Sequence, residues 1–141
     1  MPRLVLDTNI WLDWLVFAEP GVGPVKDAVV LGRSAVYIDE PCEAELMRVL
    51  AYDLGRHSID AAAQAACLAV CRQVSTRITV PPADERRRRL PQCRDPDDQK
   101  FLEAALAARA DFLVTKDLAL LELARRVAEF RILTPAEFAS L

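Results

Sequence analysis

Short apolar runs and stretches of helical periodicity take turns along this chain. Residues 3–6 (RLVL) form an apolar run closed by Asp7, the pattern of a buried strand. From Thr8 or Asn9, either of them a good N-cap, Ile10, Trp11, Trp14 and Leu15 recur at helical spacing until Pro20, Gly21 and Gly23 break the pattern. A second short helix is expected over 24–32, a strand over 35–38 (AVYI), and a helix opened by Pro41 with Leu46, Val49 and Leu50 on one side. Ser58 is placed to cap a helix over 59–73, and 77–80 (RITV) reads as a third strand stopped by Pro81 and Pro82. A charged loop runs from Ala83 to Arg94. The segment DPDDQKFLEAALAARA then opens with acids, which suit the positive end of a helix, and continues in helix formers. Beyond it come a strand at 112–114 (FLV), a helix over 118–127, a last strand at 131–133 and a closing turn at 135–138.

Strands that alternate with helices predict an α/β fold: a parallel sheet of four or five strands, covered on both faces and joined by right-handed crossovers. With 141 residues, 52% of them hydrophobic, and only four glycines, the chain has enough apolar surface for one domain over 1–141. No internal repeat or linker interrupts it. No apolar run approaches the ~20 residues of a membrane span. Asp7 comes too early for the apolar core of a signal peptide, so a soluble, cytoplasmic protein is expected. The net charge of −3 argues against a broadly basic nucleic-acid-binding face, although a local patch could serve and a bound metal would offset an acidic site. Cys42, Cys67, Cys71 and Cys93 form no Cys-x-x-Cys pair and His57 is the single histidine, so buried reduced thiols are expected in preference to a zinc site.

The acids are better placed for chemistry. Ligands of open parallel sheets sit beyond the carboxyl ends of the strands. Asp7 follows the first strand, Asp117 follows FLV by two residues, Glu43 and Glu45 lie early in the helix after the second strand, and Asp95, Asp97 and Asp98 open another helix. At an effective dielectric near 20, two like charges ~4 Å apart repel by about 4 kcal/mol. A hard divalent cation with oxygen ligands, Mg²⁺ or Mn²⁺, would quench that repulsion.

On the segments LVLDTNIWLDWL, CEAELMRVL, CRDPDDQKFLEAALAARADFLVTKDLALLEL and RILTPAEF, taken in this order, the chain resembles the PIN-domain ribonucleases, many of them toxins of bacterial toxin–antitoxin pairs. The resemblance implies a PIN-like three-layer α/β/α sandwich and an Mg²⁺- or Mn²⁺-dependent endoribonuclease. It also implies an RNA substrate and an antitoxin protein as partner. Carried over position by position, Asp7, Glu45, Asp98 and Asp117 correspond to the catalytic metal carboxylates. Asn9 and Asp95 support them, and Thr115 would stand near the metal or a substrate phosphate. Relatives often carry an acid where this chain has Gln99 and Ala119, and a glycine where it has Lys116, which favours a single metal and leaves the choice among Asp95, Asp97 and Asp98 open.

Other readings compete residue by residue. Glu43 and Glu45 are two apart and cannot face the same way, so the one that does not match the family is expected in solvent. Any of the three acids at the helix start could merely stabilise it, and Asp117 could be a plain N-cap. Arg86, Arg87, Arg88 and Arg89 could contact RNA phosphates or form a solvated face balanced by Asp84 and Glu85. Trp11 and Trp14 suit core packing or a homodimer face, Asp13 between them is expected to face water, and His57 falls in a surface turn. Two other functions remain in view. One is a phosphatase with Asp7 as covalent nucleophile, although Asn9 stands where such enzymes need a second Asp. The other is a PIN-like binding module that has lost its chemistry.

Overall fold

Strand β1 (Arg3–Leu6) lies at the centre of a five-stranded, wholly parallel sheet. The computed structural model describes residues 1–52 and 58–141, so His57 lies outside the described residues. The spatial order is β3-β2-β1-β4-β5, with β2 at Ala35–Ile38, β3 at Ser75–Arg77, β4 at Phe112–Val114 and β5 at Arg131–Leu133. Leu4 is opposite Val36 on one side and Phe112 on the other. Leu4, Val5 and Leu6 are all buried, as expected of a central strand with helices on both faces.

The helices are α1 (Thr8–Leu15), α2 (Gly23–Val30), α3 (Glu40–Leu50), α4 (Ala61–Val74), α5 (Glu85–Arg88), α6 (Gln99–Ala107), α7 (Leu118–Leu121) and α8 (Pro135–Ala139). Short 3₁₀ turns at Pro20–Val22, Pro96–Asp98 and Ala124–Arg126 join them. Helix α6 closes through Arg109, whose φ of 51° sends the chain back so that the Ala110 N–H reaches the Ala105 carbonyl at 2.9 Å. No helix among the described residues is long and apolar enough to cross a membrane.

Several boundaries differ from the sequence expectation. Helix α4 is capped by Asp60, whose Oδ1 accepts the Ala63 N–H at 2.8 Å, and not by Ser58. Strand β3 starts at Ser75 rather than 77 because pairing with β2 selects it: Val36 lies opposite Ser75 and Ile38 opposite Arg77. The helix expected over 118–127 is split into α7 and a 3₁₀ turn. The loop 83–94 contains α5, and the closing turn is α8, held by a capping box between Thr134 and Glu137.

Trp11 and Trp14 stack with ring centroids 5.3 Å apart and are both buried, which is the core packing offered as one of their two readings. Two other side chains depart from expectation. Asp13 is buried and ion-paired with Lys116, out of water. Glu43 is buried rather than solvated, because Arg72 from α4 (2.7 Å) and Arg77 from β3 (2.8 Å) take its two oxygens. Glu43→Ala is expected to cost about 1–2 kcal/mol in urea denaturation. That is less than the 3–5 kcal/mol of a fully buried pair, because both arginines are half-exposed and regain water. An unchanged urea midpoint would show that the pair does not hold α4 and β3 to α3.

Candidate active site

The strand order reverses around β1: the chain builds outwards through β2 and β3, then returns to place β4 on the other side of β1. Parallel sheets open a crevice at such a switch point, beyond the carboxyl ends of the two strands. Asp7 and Thr115 stand at those ends. The Asp7 N–H donates to the Val114 carbonyl (3.2 Å) and the Thr115 N–H to the Leu133 carbonyl (2.9 Å), so the ladder fixes both residues.

Asp7 is 3% exposed and caps α1, its Oδ1 accepting the Ile10 N–H at 3.0 Å. The buried Thr115 hydroxyl donates to Asp7 Oδ2 and accepts the Asp117 N–H at 2.9 Å. Thr115 therefore ties the first acid to the fourth and spends its hydroxyl proton on Asp7. Burial pushes the Asp7 carboxyl up to about 6 against the pull of the Thr115 and Ile10 bonds, and the charges of Asp117 and Asp13 add to the rise.

Asp117 caps α7 through the Ala119 N–H (2.9 Å). Its carboxyl and that of Asp98 interact and are pushed in opposite directions, Asp98 towards the protonated form and Asp117 towards the ionised one. Asp98, at the end of the 3₁₀ turn before α6, is pushed up to about 8, first by desolvation and then by its bond to Asp117 and the charges of Asp117, Asp95 and Glu45. Asp117 is held below the usual carboxylate range by the same bond, by Ala119 and by Arg94. Asp98 Oδ2 is buried and meets no N–H or O–H donor, so as a carboxylate it lacks any partner. Of the neighbouring acids, Asp95 is exposed and caps the 3₁₀ turn through the Asp97 N–H at 3.0 Å, and Asp97 is exposed. Only Asp98 turns inward.

Glu45 arrives from α3, whose phase is set by Asp39: this buried acid caps the helix through the Cys42 N–H at 3.1 Å. Both Glu45 oxygens are engaged, Oε2 by the Thr8 hydroxyl and Oε1 by Lys100 at 2.7 Å. Asn9 is exposed beside Asp7 on the first turn of α1. Gln99 and Ala119, where relatives often carry acids, build the wall. Gln99 accepts the Cys93 N–H (2.7 Å) and donates to the Pro91 carbonyl (3.1 Å), while the Ala119 carbonyl takes the Cys93 thiol at 3.5 Å.

Charge links Asp7 to Asp117, and Asp98 to both Asp117 and Glu45, so the four acids form a chain of neighbours whose oxygens are of the type that suits a hard cation. The carboxyls of Asp7 and Asp98 are raised first by burial and then by the charges of neighbouring acids, and Asp98 Oδ2 has no donor beside it. Among the described residues, no three His, Cys, Asp or Glu side chains already stand in a metal-holding arrangement. All four cysteines are reduced, and burial pushes the Cys42 and Cys71 thiols up, away from the thiolate that zinc needs.

The arginine run lies elsewhere. Arg86 and Arg87 line a shallow cavity with Leu106, Ala107 and Arg109 at the far end of α6, roughly 13 Å of helix from Asp98. Arg87 is committed to Glu103 at 2.7 Å. Arg94 is the arginine near the acids: it pairs with Glu122 at 3.0 Å and its charge reaches Asp117. The residues missed in the sequence are Thr8, Lys100 and the Asp13–Lys116 pair. A lysine two residues after Asp98, inside an acid-rich segment, was the one available signal.

Comparison with known proteins agrees with this fold. One chain of the crystal structure of VapBC2 from Rickettsia felis, bound to a DNA fragment from their promoter, superposes with a TM-score of 0.64 over 94% of this chain and 98% of that one, at 13% identity. That likeness is one of fold. No curated protein matches in sequence. The PIN domain family model matches residues 3–119, a stretch that includes all four acids, and the chain belongs to the PIN domain family.

Proposed function

We propose that this chain is a divalent-metal-dependent endoribonuclease and the toxin of a toxin–antitoxin pair. The observation that carries the reading is the buried Asp98 oxygen that meets no donor at the switch point, among acids brought there by separate segments. Asp7, Glu45, Asp98 and Asp117 would hold Mg²⁺ or Mn²⁺, which when bound supplies counter-charge and Lewis acidity for hydrolysis of a phosphodiester. The protein's own work is positional. Thr115 locks Asp7 to the Asp117 backbone, Asp98 surrenders its proton when a cation replaces it, and Asp39 sets the rotation of α3 that aims Glu45. Exposed Asn9 and Arg94 flank the acids and suit contact with RNA phosphates.

RNA as substrate rests on the motif likeness to PIN-domain ribonucleases. The toxin role rests on that likeness and on the fold shared with a VapBC2 assembly. The test is cleavage of structured RNAs by the purified chain with Mn²⁺ and with EDTA. Cleavage that needs the metal is expected, and cleavage undiminished by EDTA would overturn the metal role. A second reading, a binding module without chemistry, draws on Gln99 and Ala119, which serve the wall and bring no charge to the site. Absence of Mg²⁺ and Mn²⁺ binding in calorimetry would favour it.

A further inference from the structure

Glu45 is already neutralised from within the chain. Lys100 sits in the first turn of α6, two residues after Asp98, and places Nζ 2.7 Å from Glu45 Oε1. The two side chains are only 20% and 15% exposed, whereas each of the other ion pairs among the described residues has a partner at least 31% exposed. This pair is not a loose surface contact. The Lys100 ammonium also lies 5.8 Å from the ring centroid of Phe101, which is buried in the core. Arg48, the other cation near Glu45, stays 4.0 Å away and is largely exposed.

Because Asp98 immediately precedes α6 and Lys100 lies in its first turn, a cation drawn to Asp98 arrives beside a segment that already presents a positive charge. We propose that Lys100 is a resident counter-cation which competes with the divalent ion for Glu45, so that the ion gains this carboxylate only by displacing the ammonium. The proposal rests on the metal reading of the site. Lys100 is a positioning residue: in the absence of metal it holds Glu45 turned towards α6, with Thr8 on the other oxygen, and this accounts for four acids that share one edge without a ready-made metal triad. Competition of this kind sets a threshold concentration for loading the site.

The test is calorimetric titration of the purified full chain with MnCl₂, for the wild type, Lys100→Gln and Lys100→Arg. Lys100→Gln is expected to bind Mn²⁺ at least about tenfold more tightly, with Lys100→Arg within about threefold of wild type because it keeps the charge. Lys100→Met, which keeps an unbranched apolar stem without the charge, is the second charge-removing variant should the glutamine variant fold poorly. A wild type that binds Mn²⁺ with neither neutral variant binding more tightly would overturn the competition and leave the metal reading standing. A wild type that binds no Mn²⁺ would overturn both.

Discussion

Asp7→Asn is expected to lower RNA cleavage by on the order of 10³-fold while making the protein more stable at pH 7. The loss follows from removing the most deeply set of the four proposed carboxylates: several kcal/mol of charge stabilisation at ~1.4 kcal/mol per decade gives about three decades. The gain has a separate cause. Asparagine is as good an N-cap as aspartate, so the bond to the Ile10 N–H survives. What disappears is a buried charge. Asp7 titrates near 6 in the fold, above its unfolded value of 3.8, so the folded protein holds that proton more tightly than the unfolded chain does. For a carboxyl shifted in this direction, stability falls as pH rises from the unfolded value to the folded one and stays low beyond it. At ~1.4 kcal/mol per pH unit the penalty at pH 7 is at most about 3 kcal/mol, a Tm rise for Asp7→Asn of up to roughly 10 °C in a domain of this size. Near pH 4 both forms are neutral and the gain should vanish. A pure Asp7→Asn protein that still cleaves RNA at the wild-type rate, or that melts below wild type at pH 7, would show that Asp7 is neither ligand nor strained charge.

What could be read from the chain, and what could not, divides by the range of the interaction. Strands β1, β2 and β4 were legible because central parallel strands lie between helices and appear as apolar runs, and edge strand β5 was legible because Ile132 and Leu133 are buried. Strand β3 was displaced because an edge strand is selected by pairing with β2; its own residues Ser75, Thr76 and Arg77 carry no apolar signature. The helix over 118–127 has helical periodicity, yet the return of the chain to pair Phe112 with Arg131 leaves room only for one turn and a 3₁₀ segment. The acids were legible because charge at strand ends is a local signal, and the order of the motifs added to it. Their partners were not. Thr8 meets Glu45 across 37 positions and Lys100 meets it across 55, contacts decided by how α1, α3 and α6 pack. Glu43 was expected in water for the same reason: Arg72 and Arg77 reach it only once α4 and β3 dock on α3 and β2.

Removing divalent metal should matter far more at pH 8 than at pH 5. In the metal-free protein, Asp7 and Asp98 both titrate above the usual carboxylate range, near 6 and near 8. Each therefore withdraws stability as pH climbs, Asp7 through about 6 and Asp98 through about 8. Asp117 runs the other way: held low, it contributes stability at every pH above the ordinary carboxylate value and loses it only in stronger acid. The metal-free protein is thus at its most stable on the acidic side of neutrality, where the Asp98 proton serves as the cation of the site. A divalent ion must expel that proton to bind. At pH 5 expulsion is costly and the ion gains little, while at pH 8 Asp98 is half ionised, Asp7 is fully so, and the ion meets the charge it would neutralise. With free Mg²⁺ about 100-fold above its Kd at pH 8, mass action adds about 2.7 kcal/mol, a Tm gain of roughly 8–10 °C. At pH 5 the gain should shrink to about 2 °C or less, since the competing proton raises the apparent Kd. Asp98 is half-buried, so water screens part of its repulsion and the steepest change should fall between pH 6 and 8, where Asp7 completes its ionisation and Asp98 begins to lose its proton. Scanning calorimetry in Mg²⁺ and in EDTA at both pH values measures the difference directly. Equal metal-induced shifts at pH 5 and pH 8 would mean that the ion, if it binds, does so away from the Asp98–Asp117 pair.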